Sequence, residues 1–316
     1  MQHAAPPDVV TLGEALVLWA AEQTGPLAEV QSFSQHTAGA ETNVAVGLAR
    51  LGLHVGWVSR LGDDVSGDYL RQAFEREGVD CSHVATVHGG LTASMRKGRV
   101  DDGTDPPIAY QRANSAASQL GPEHLDLPWL ASARHLHVTG IFPALSAHTM
   151  AATQAAMRHM RAHHKTISFD PNLRPALWPD RAVMRDTLNA LAAQADWVLP
   201  GWEEGRLLTG CDTPQDIARF YRNVGATQVV VKLGPQGAYV DGPEGRAFVP
   251  AFAVEKVVDT VGAGDAFAVG VISALLEDAT IEQAARRGAW MGARAVQVRG
   301  DCEGLPTRAA LDAAGV

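Results

Sequence analysis

A chain of 316 residues, 46% of them hydrophobic, is long enough to bury a sizeable core, and its formal net charge of −9 repels nucleic acid and anionic membranes. The same charge repels a nucleotide, so any phosphate site must be built locally from backbone N–H groups and a few cations. Cys81, Cys211 and Cys302 stand far apart with no metal-ligand spacing, no apolar run is long enough for a membrane span, and the start MQHAAPPDVV lacks the regions of a secretory signal. These features predict a reduced, cytoplasmic protein.

Taken in chain order, residues 9–12 predict a strand, 42–51 a helix, 54–59 a strand and 66–77 a helix. After a gap, the alternation resumes with a strand at 135–138, a helix at 147–162, a strand at 166–169 and a helix at 182–193. A strand at 197–199, a helix at 214–223, a strand at 228–232 and helices at 263–276 and 281–298 complete it. The strands are short and mostly apolar, as in a sheet covered on both faces, so the expected fold is doubly wound α/β with ligands at the carboxyl ends of the strands. Two stretches break the rhythm: 16–37 and 92–115 show no helical periodicity, and DDG at 101–103 signals a turn. They predict a small sheet placed as a lid over the cleft. With no linker or repeat, the expectation is a single domain spanning 1–316 with these lid segments inserted.

The segment DTVGAGDAFAVG, residues 259–270, is the most informative. Gly262, Ala263 and Gly264 are too small to block a ligand, and glycines let successive N–H groups point into one concavity. The apolar run behind them predicts a buried helix whose N-terminus presents free N–H donors and partial positive charge, an anion site suited to a transferring phosphoryl group. Asp265 falls in the first turn, where the helix dipole favours the ionised form that a base needs. A lone Gly-x-Gly-Asp also fits a simple helix cap. The longer string DTVGAGD closely resembles the C-terminal signature of the ribokinase-like (PfkB) carbohydrate kinase family.

AGAETNVAVGLARLG, residues 38–52, is similar to that family's N-terminal sugar-binding signature, which implies Gly39 and Asn43 as sugar contacts. GEALV at 13–17, VSRLGDDVSGDYL at 58–70 and VVVKLGPQGAYV at 229–240 extend the resemblance over nearly the whole chain. It implies a ribokinase-like three-layer fold with a small β-lid and ATP with Mg²⁺ as cofactors. In some members a monovalent cation such as K⁺ sits near the glycine-rich loop. By the same likeness Lys232, Gly234, Gly237, Gly262 and Gly264 lie near ATP, and lid sheets pair chains into a homo-oligomer. One departure concerns the metal. Relatives carry Asn-x-x-Glu ahead of the nucleotide strand, whereas PGWEEGRLLTG here has Gly201 in place of the Asn and keeps Glu204. Mg²⁺ needs few protein ligands, so Glu204 is expected as an outer-sphere group.

Two arginines bear on the substrate. Arg174 lies in FDPNLRPALW just past a predicted strand end, and Arg112 lies in AYQRANSA in the expected lid. Arginine forks bind carboxylate or phosphate at two points, and a neutral sugar does not require them. Both segments resemble those of 2-keto-3-deoxygluconate kinases, which implies that Tyr110, Arg112 and Arg174 touch a sugar acid. Arg174 is equally placed to serve ATP phosphates. The expected reaction is ATP-dependent phosphorylation of a primary hydroxyl, most simply 2-keto-3-deoxygluconate to its 6-phosphate. A kinase for a neutral sugar such as fructose or ribose, and a non-catalytic sugar or nucleotide sensor, are the alternatives.

Overall fold

The computed structural model describes residues 6–100 and 106–316, so the turn expected at 101–103 lies outside the described residues. The first half runs β1 (Val9–Leu12), β2 (Leu16–Thr24), β3 (Phe33–Ala38), α1 (Ala40–Arg50), β4 (Val55–Gly62), α2 (Val65–Arg76), β5 (Val84–Val87), β6 (Ser94–Arg99), β7 (Ile108–Gln111), α3 (Leu127–Ser132), β8 (His135–Thr139) and α4 (Ala147–Ala162). The second half runs β9 (Thr166–Asp170), α5 (Arg181–Ala192), β10 (Trp197–Val198), α6 (Trp202–Thr209), α7 (Pro214–Asn223), β11 (Gln228–Lys232), β12 (Ala238–Gly242), β13 (Gly245–Val249), α8 (Ala263–Leu276), α9 (Ile281–Ala295) and α10 (Arg308–Ala314). Every predicted strand and helix is present, with ends within three residues of those expected. Helices α3, α6 and α10 span only 6, 8 and 7 residues, too short for their periodicity to register in the sequence.

The nine-stranded sheet has the order β13-β12-β11-β10-β9-β8-β1-β4-β5. All pairs from β11 to β5 are parallel, and the β12–β13 hairpin extends one edge antiparallel. The chain leaves β1 towards β4 and β5, then returns to lay β8 on the other side of β1, so the winding reverses between β1 and β8. A crevice opens at the carboxyl ends of the strands at such a reversal.

Alternation along the strands divides the interior into two cores, one on each face of the sheet. Val9, Val55, Trp57 and Val230 pack against α1, α2, α8 and α9, while Val10, Leu12, Val58, Val138 and Phe169 pack against α3, α4, α5 and α7. The expected doubly wound, three-layer α/β fold is therefore the observed one. Helix α8 is apolar all round, buried from Asp265 to Ala274, because α1 and α9 flank it on the core side of the sheet. Cys81, Cys211 and Cys302 are free thiols, and no helix among the described residues is long and apolar enough to cross a membrane.

The two stretches without helical periodicity carry a second sheet of order β3-β2-β6-β7. Its inner face has a small core of Leu16, Leu18, Ala20, Ala38, Ala93 and Met95. Of these, Leu16, Ala38 and Met95 face the crevice of the main sheet. The outermost strand, β7, is exposed along its whole length.

The α8–α9 contact is close because two glycines meet in it. A Cβ added at Gly270 would lie 2.5 Å from the backbone nitrogen of Gly288, with no flexible side chain to give way. Gly270→Ala is expected to lower the stability of the chain by about 1–3 kcal/mol, the usual cost of overpacking, read as a fall in the denaturation midpoint at unchanged slope.

Candidate active site

Four strand ends deliver the first site residues. Beyond β1 lies Glu14, beyond β8 lies Ile141, β9 ends at Asp170 with Asn172 close behind, and β11 ends at Lys232; all line one cavity of about 610 Å³. The small sheet supplies the opposite wall with Leu16, Ala38, Met95, Ile108 and Tyr110.

The remaining walls are helix N-termini. Seven other helices have a side-chain cap: Asp64 for α2, Asp126 for α3, Ser146 for α4, Asp180 for α5, Thr213 for α7, Thr280 for α9 and Thr307 for α10 each accept a backbone N–H of the first turn. The two helices that open on the cavity, α1 and α8, have glycine caps, Gly39 and Gly262, and no side-chain cap. No capping side chain occupies these helix ends, and only the Ala263 N–H of α8 has a weak partner, the Thr260 carbonyl at 3.4 Å, so N–H groups there are within reach of a ligand. Both glycines have left-handed backbone, φ 143° and 78°. A Cβ at Gly39 would lie 2.7 Å from the Glu14 carbonyl oxygen, and one at Gly262 would lie 2.2 Å from that of Asp301. Side chains are excluded at both positions by backbone angle and by space.

Asp265 is buried at the head of α8. Its Oδ2 accepts a hydrogen bond from Asn43 Nδ2 at 2.8 Å, and its Oδ1 accepts one from Asn172 Nδ2 at 3.4 Å. Burial raises its pKa above the ordinary carboxylate value, opposed by the Asn43 hydrogen bond, by the charges of Lys232 and Arg174 and by the Asn172 hydrogen bond. Desolvation thus works against the ionised form that the helix end is expected to favour. A carboxylate held with a raised pKa is a stronger proton acceptor when ionised.

Lys232 is half-buried and pairs with Asp170, Nζ to Oδ2 at 2.5 Å. Burial opposes its charge, but Asp170, Glu204 and Asp265 hold its pKa above the usual lysine value. The ammonium lies 3.6 Å from where a Cβ on Gly264 would stand, so one cation sits at the open end of α8. Asp170 is lifted to about 6 by burial, with Lys232 pulling it back down. Glu204 has both oxygens in use, Oε1 accepting the Leu173 N–H and Oε2 the Gly201 N–H, each at 2.7 Å. It braces the turn after β9 and the start of α6 while lining the cavity.

On the small-sheet side, Arg112 NH2 lies 2.6 Å from Oε2 of the buried Glu14, and its guanidinium stands 5.4 Å from the centre of the Tyr110 ring. Burial raises the pKa of Glu14 against the opposing pull of Arg112 and of the Ser115 hydroxyl, which donates to Oε1. Arg174 is exposed on the opposite wall, donating to the Leu173 carbonyl at 2.8 Å.

The cavity therefore brings together Gly39, Asn43, Tyr110, Arg112, Arg174, Glu204, Lys232, Gly262, Gly264 and Asp265. Ala263, Gly234 and Gly237 do not line it. Gly237 has a packing reason of its own, since a Cβ there would meet the Val249 carbonyl oxygen at 2.0 Å. Sequence reasoning missed Glu14, Glu41, Asp170, Asn172 and Asp301, all on the cavity wall. Asp170 and Asn172 stood at a predicted strand end, which was the available signal; Asp301 lies in an irregular stretch after α9 and had none. Among the described residues no group of three or more His, Cys, Asp and Glu side chains is arranged to hold a metal directly. Asp170 and Glu204 beside the open helix end suit Mg²⁺ held through its own waters and phosphate oxygens.

An uncapped glycine-rich helix end, a lysine beside it and a buried carboxylate in reach are the equipment of a phosphotransferase. The pfkB family carbohydrate kinase profile matches residues 6–308, and the chain belongs to that family of carbohydrate kinases, which use ATP and Mg²⁺. It is 48% identical over 305 residues to the 2-dehydro-3-deoxygluconokinase of Bacillus subtilis (strain 168), covering 96% of this chain and 94% of that one. The crystal structure of the PfkB protein from Polaromonas sp. JS666 superposes with a TM-score of 0.91 at 55% identity, over 97% of this chain and 99% of that one. A putative ribokinase II from E. coli, solved in complex with ATP and Mg²⁺, superposes with a TM-score of 0.90 at 28% identity, over 97% and 98% of the two chains.

Glu41, in the first turn of α1, is fully buried and accepts a hydrogen bond from Thr139 Oγ1 at 2.6 Å. Burial lifts its pKa to about 7, with the Asp265 charge adding to the rise. An acid whose pKa rises on folding stabilises the fold below its unfolded value of about 4.3, and that contribution is lost as pH climbs through about 7. Glu41→Gln is therefore expected to raise the melting temperature relative to the parent chain at pH 8 and to change it little at pH 5, checked by thermal melts at the two pH values.

Proposed function

We propose that this kinase phosphorylates 2-keto-3-deoxygluconate, the acid also written 2-dehydro-3-deoxygluconate, at its primary hydroxyl to give the 6-phosphate. The observation that carries the reading is that Arg112 and Arg174 face the same cavity as Asp265. A sugar acid presents one carboxylate and one primary hydroxyl at opposite ends, and the cavity has cationic forks and a base to receive them. Similarity to the Bacillus subtilis 2-dehydro-3-deoxygluconokinase supports the choice of substrate.

In this reading Gly39 and Asn43 hold sugar hydroxyls, Tyr110 and Arg112 close over the acid end from the lid, and Arg174 meets the carboxylate or the nearest phosphate. Asp265 takes the hydroxyl proton as the sugar oxygen bonds to the γ-phosphorus and the bond to the β-phosphate oxygen breaks, releasing ADP. N–H groups of Gly262, Ala263 and Gly264, together with Lys232, receive the charge that develops on the transferring group. The turn of Gly234 and Gly237 borders the nucleotide. Mg²⁺, when bound with ATP, neutralises phosphate charge, with Glu204 as an outer-sphere group. A monovalent cation beside the glycine-rich loop, and pairing of two chains through the small sheet, belong to the same proposal; the exposed strand β7 supports the latter.

One observation favours a neutral sugar such as fructose or ribose as the second reading. Glu14 already balances the charge of Arg112, so that fork is not waiting uncompensated for an anion.

Turnover of ATP with Mg²⁺ against 2-keto-3-deoxygluconate, fructose, ribose and adenosine separates the readings. Highest kcat/KM on the keto-deoxy acid is expected, with Arg112→Ala lowering it at least about tenfold through the lost charged hydrogen bond. Preference for fructose or ribose would overturn the substrate assignment. Asp265→Asn is expected to cut kcat at least about a hundredfold while binding of an ATP analogue persists, and near-normal turnover in that variant would remove Asp265 as the base.

A further inference from the structure

Lys97 lies outside the machinery described so far, yet it is a lysine with a relative exposure of 5%. Its Nζ lies 2.6 Å from Asp259 Oδ2, and the Asp259 side chain is itself only 9% exposed. The two ends of this pair come from different parts of the fold. Lys97 sits on β6 in the small sheet, while Asp259 opens the loop that leads into α8. Asp259 does more than meet the lysine: Oδ1 accepts the Val261 N–H at 3.1 Å and Oδ2 accepts the Gly300 N–H at 3.4 Å. One carboxylate thus ties β6, the loop 259–262 and the segment after α9.

That loop has little freedom on its other side. Gly262 rests against the Asp301 carbonyl so closely that a Cβ would lie 2.2 Å from it. Its N–H groups and those of the first turn form the open helix end. On β6, Met95 and Lys97 point to the same face, two residues apart, and both are buried. Met95 lines the active-site cavity, whereas Lys97 lines a second one of about 430 Å³ behind the loop; Pro106 and Thr260 are common to both. The strand that forms the sugar-side wall is therefore bolted to the loop that shapes the phosphate-side wall.

A buried ion pair is weak evidence for stability, because desolvation of two charges offsets their attraction. Its geometric specificity is the firmer part, and this pair joins two elements whose relative position sets how a sugar hydroxyl meets a phosphoryl group. We propose that Lys97 is a positioning residue for phosphoryl transfer, acting through Asp259 to fix the loop 259–262 relative to β6. The proposal rests on the kinase reading above, with Asp265 and the head of α8 as the reacting end.

The test uses the full chain with ATP, Mg²⁺ and whichever sugar of the panel the parent enzyme turns over best, so failure of the sugar-acid assignment leaves it intact. Lys97→Met is expected to lower kcat at least about tenfold, because small misplacements of reacting groups are costly, with sugar KM changed less than about threefold. Lys97→Arg is expected to recover most of kcat. Removing one partner leaves the other charge buried, so Lys97→Met and Asp259→Asn are each expected to melt lower. The double variant Lys97→Met/Asp259→Asn carries neither charge, and its melting temperature is expected to return towards that of the parent while kcat stays low. A double variant that regains both melting temperature and kcat would overturn the proposal and leave the pair a purely structural one. So would Lys97→Met with kcat within about threefold of the parent, well short of what misplaced reacting groups cost. If Lys97→Met alone does not fold, the double variant and Lys97→Arg decide the matter.

Discussion

The whole site depends on keeping one carboxylate, that of Asp265, buried at the start of an apolar helix. Burial alone would hold the acid protonated and inert. The structure offsets that cost with amide donors from two distant segments, Asn43 on α1 and Asn172 beyond β9, and with the charge of Lys232 at the end of β11. Each donor comes from a different crossover of the sheet, so the fold must be complete before the base exists. The reversal of winding between β1 and β8 is what allows those crossovers to end at one point.

The same logic explains the choice of helix caps. A capping side chain stabilises a helix by about 1 kcal/mol, and seven of the described helices have one. Helices α1 and α8 forgo it and place glycine there instead. Local stability is given up where N–H groups are needed for a ligand, and the tight packing of α8 against α1 and α9 makes the loss tolerable. Acidic residues crowd the same region: Glu41, Asp170 and Asp301 all have carboxyl pKa values lifted by burial, to about 7, 6 and 7. In a chain of net charge −9 this cluster is held together by very few cations, chiefly Lys97, Lys232 and Arg112.

Much of this was legible in the sequence because the signals were local. Alternation of short apolar runs with helical ones yields the sheet and its layers, and the glycines around Asp265 mark the helix end without any knowledge of the fold. The contribution of Lys97 was not legible: in MRKGR it reads as one more charge on a polar strand, and only pairing with a loop more than 160 residues away gives it a partner. Asp301 is hidden for the same reason. Gly237 has a reason to be glycine that the sequence does not show, the close approach of the β13 backbone at Val249. Residues whose role depends on a neighbour in space leave no periodicity to read.

The alternation of β6 has a consequence for how such an enzyme can change over time. Met95 and Lys97 face inward and Arg96 faces out, and this parity is set by the pairing of β6 with β2 and β7. Deleting or inserting a single residue within the strand would turn Arg96 into the cavity and swing Lys97 away from Asp259 together. New sugar preferences can arise here by exchanging side chains one at a time, whereas length variation is confined to positions outside the strand.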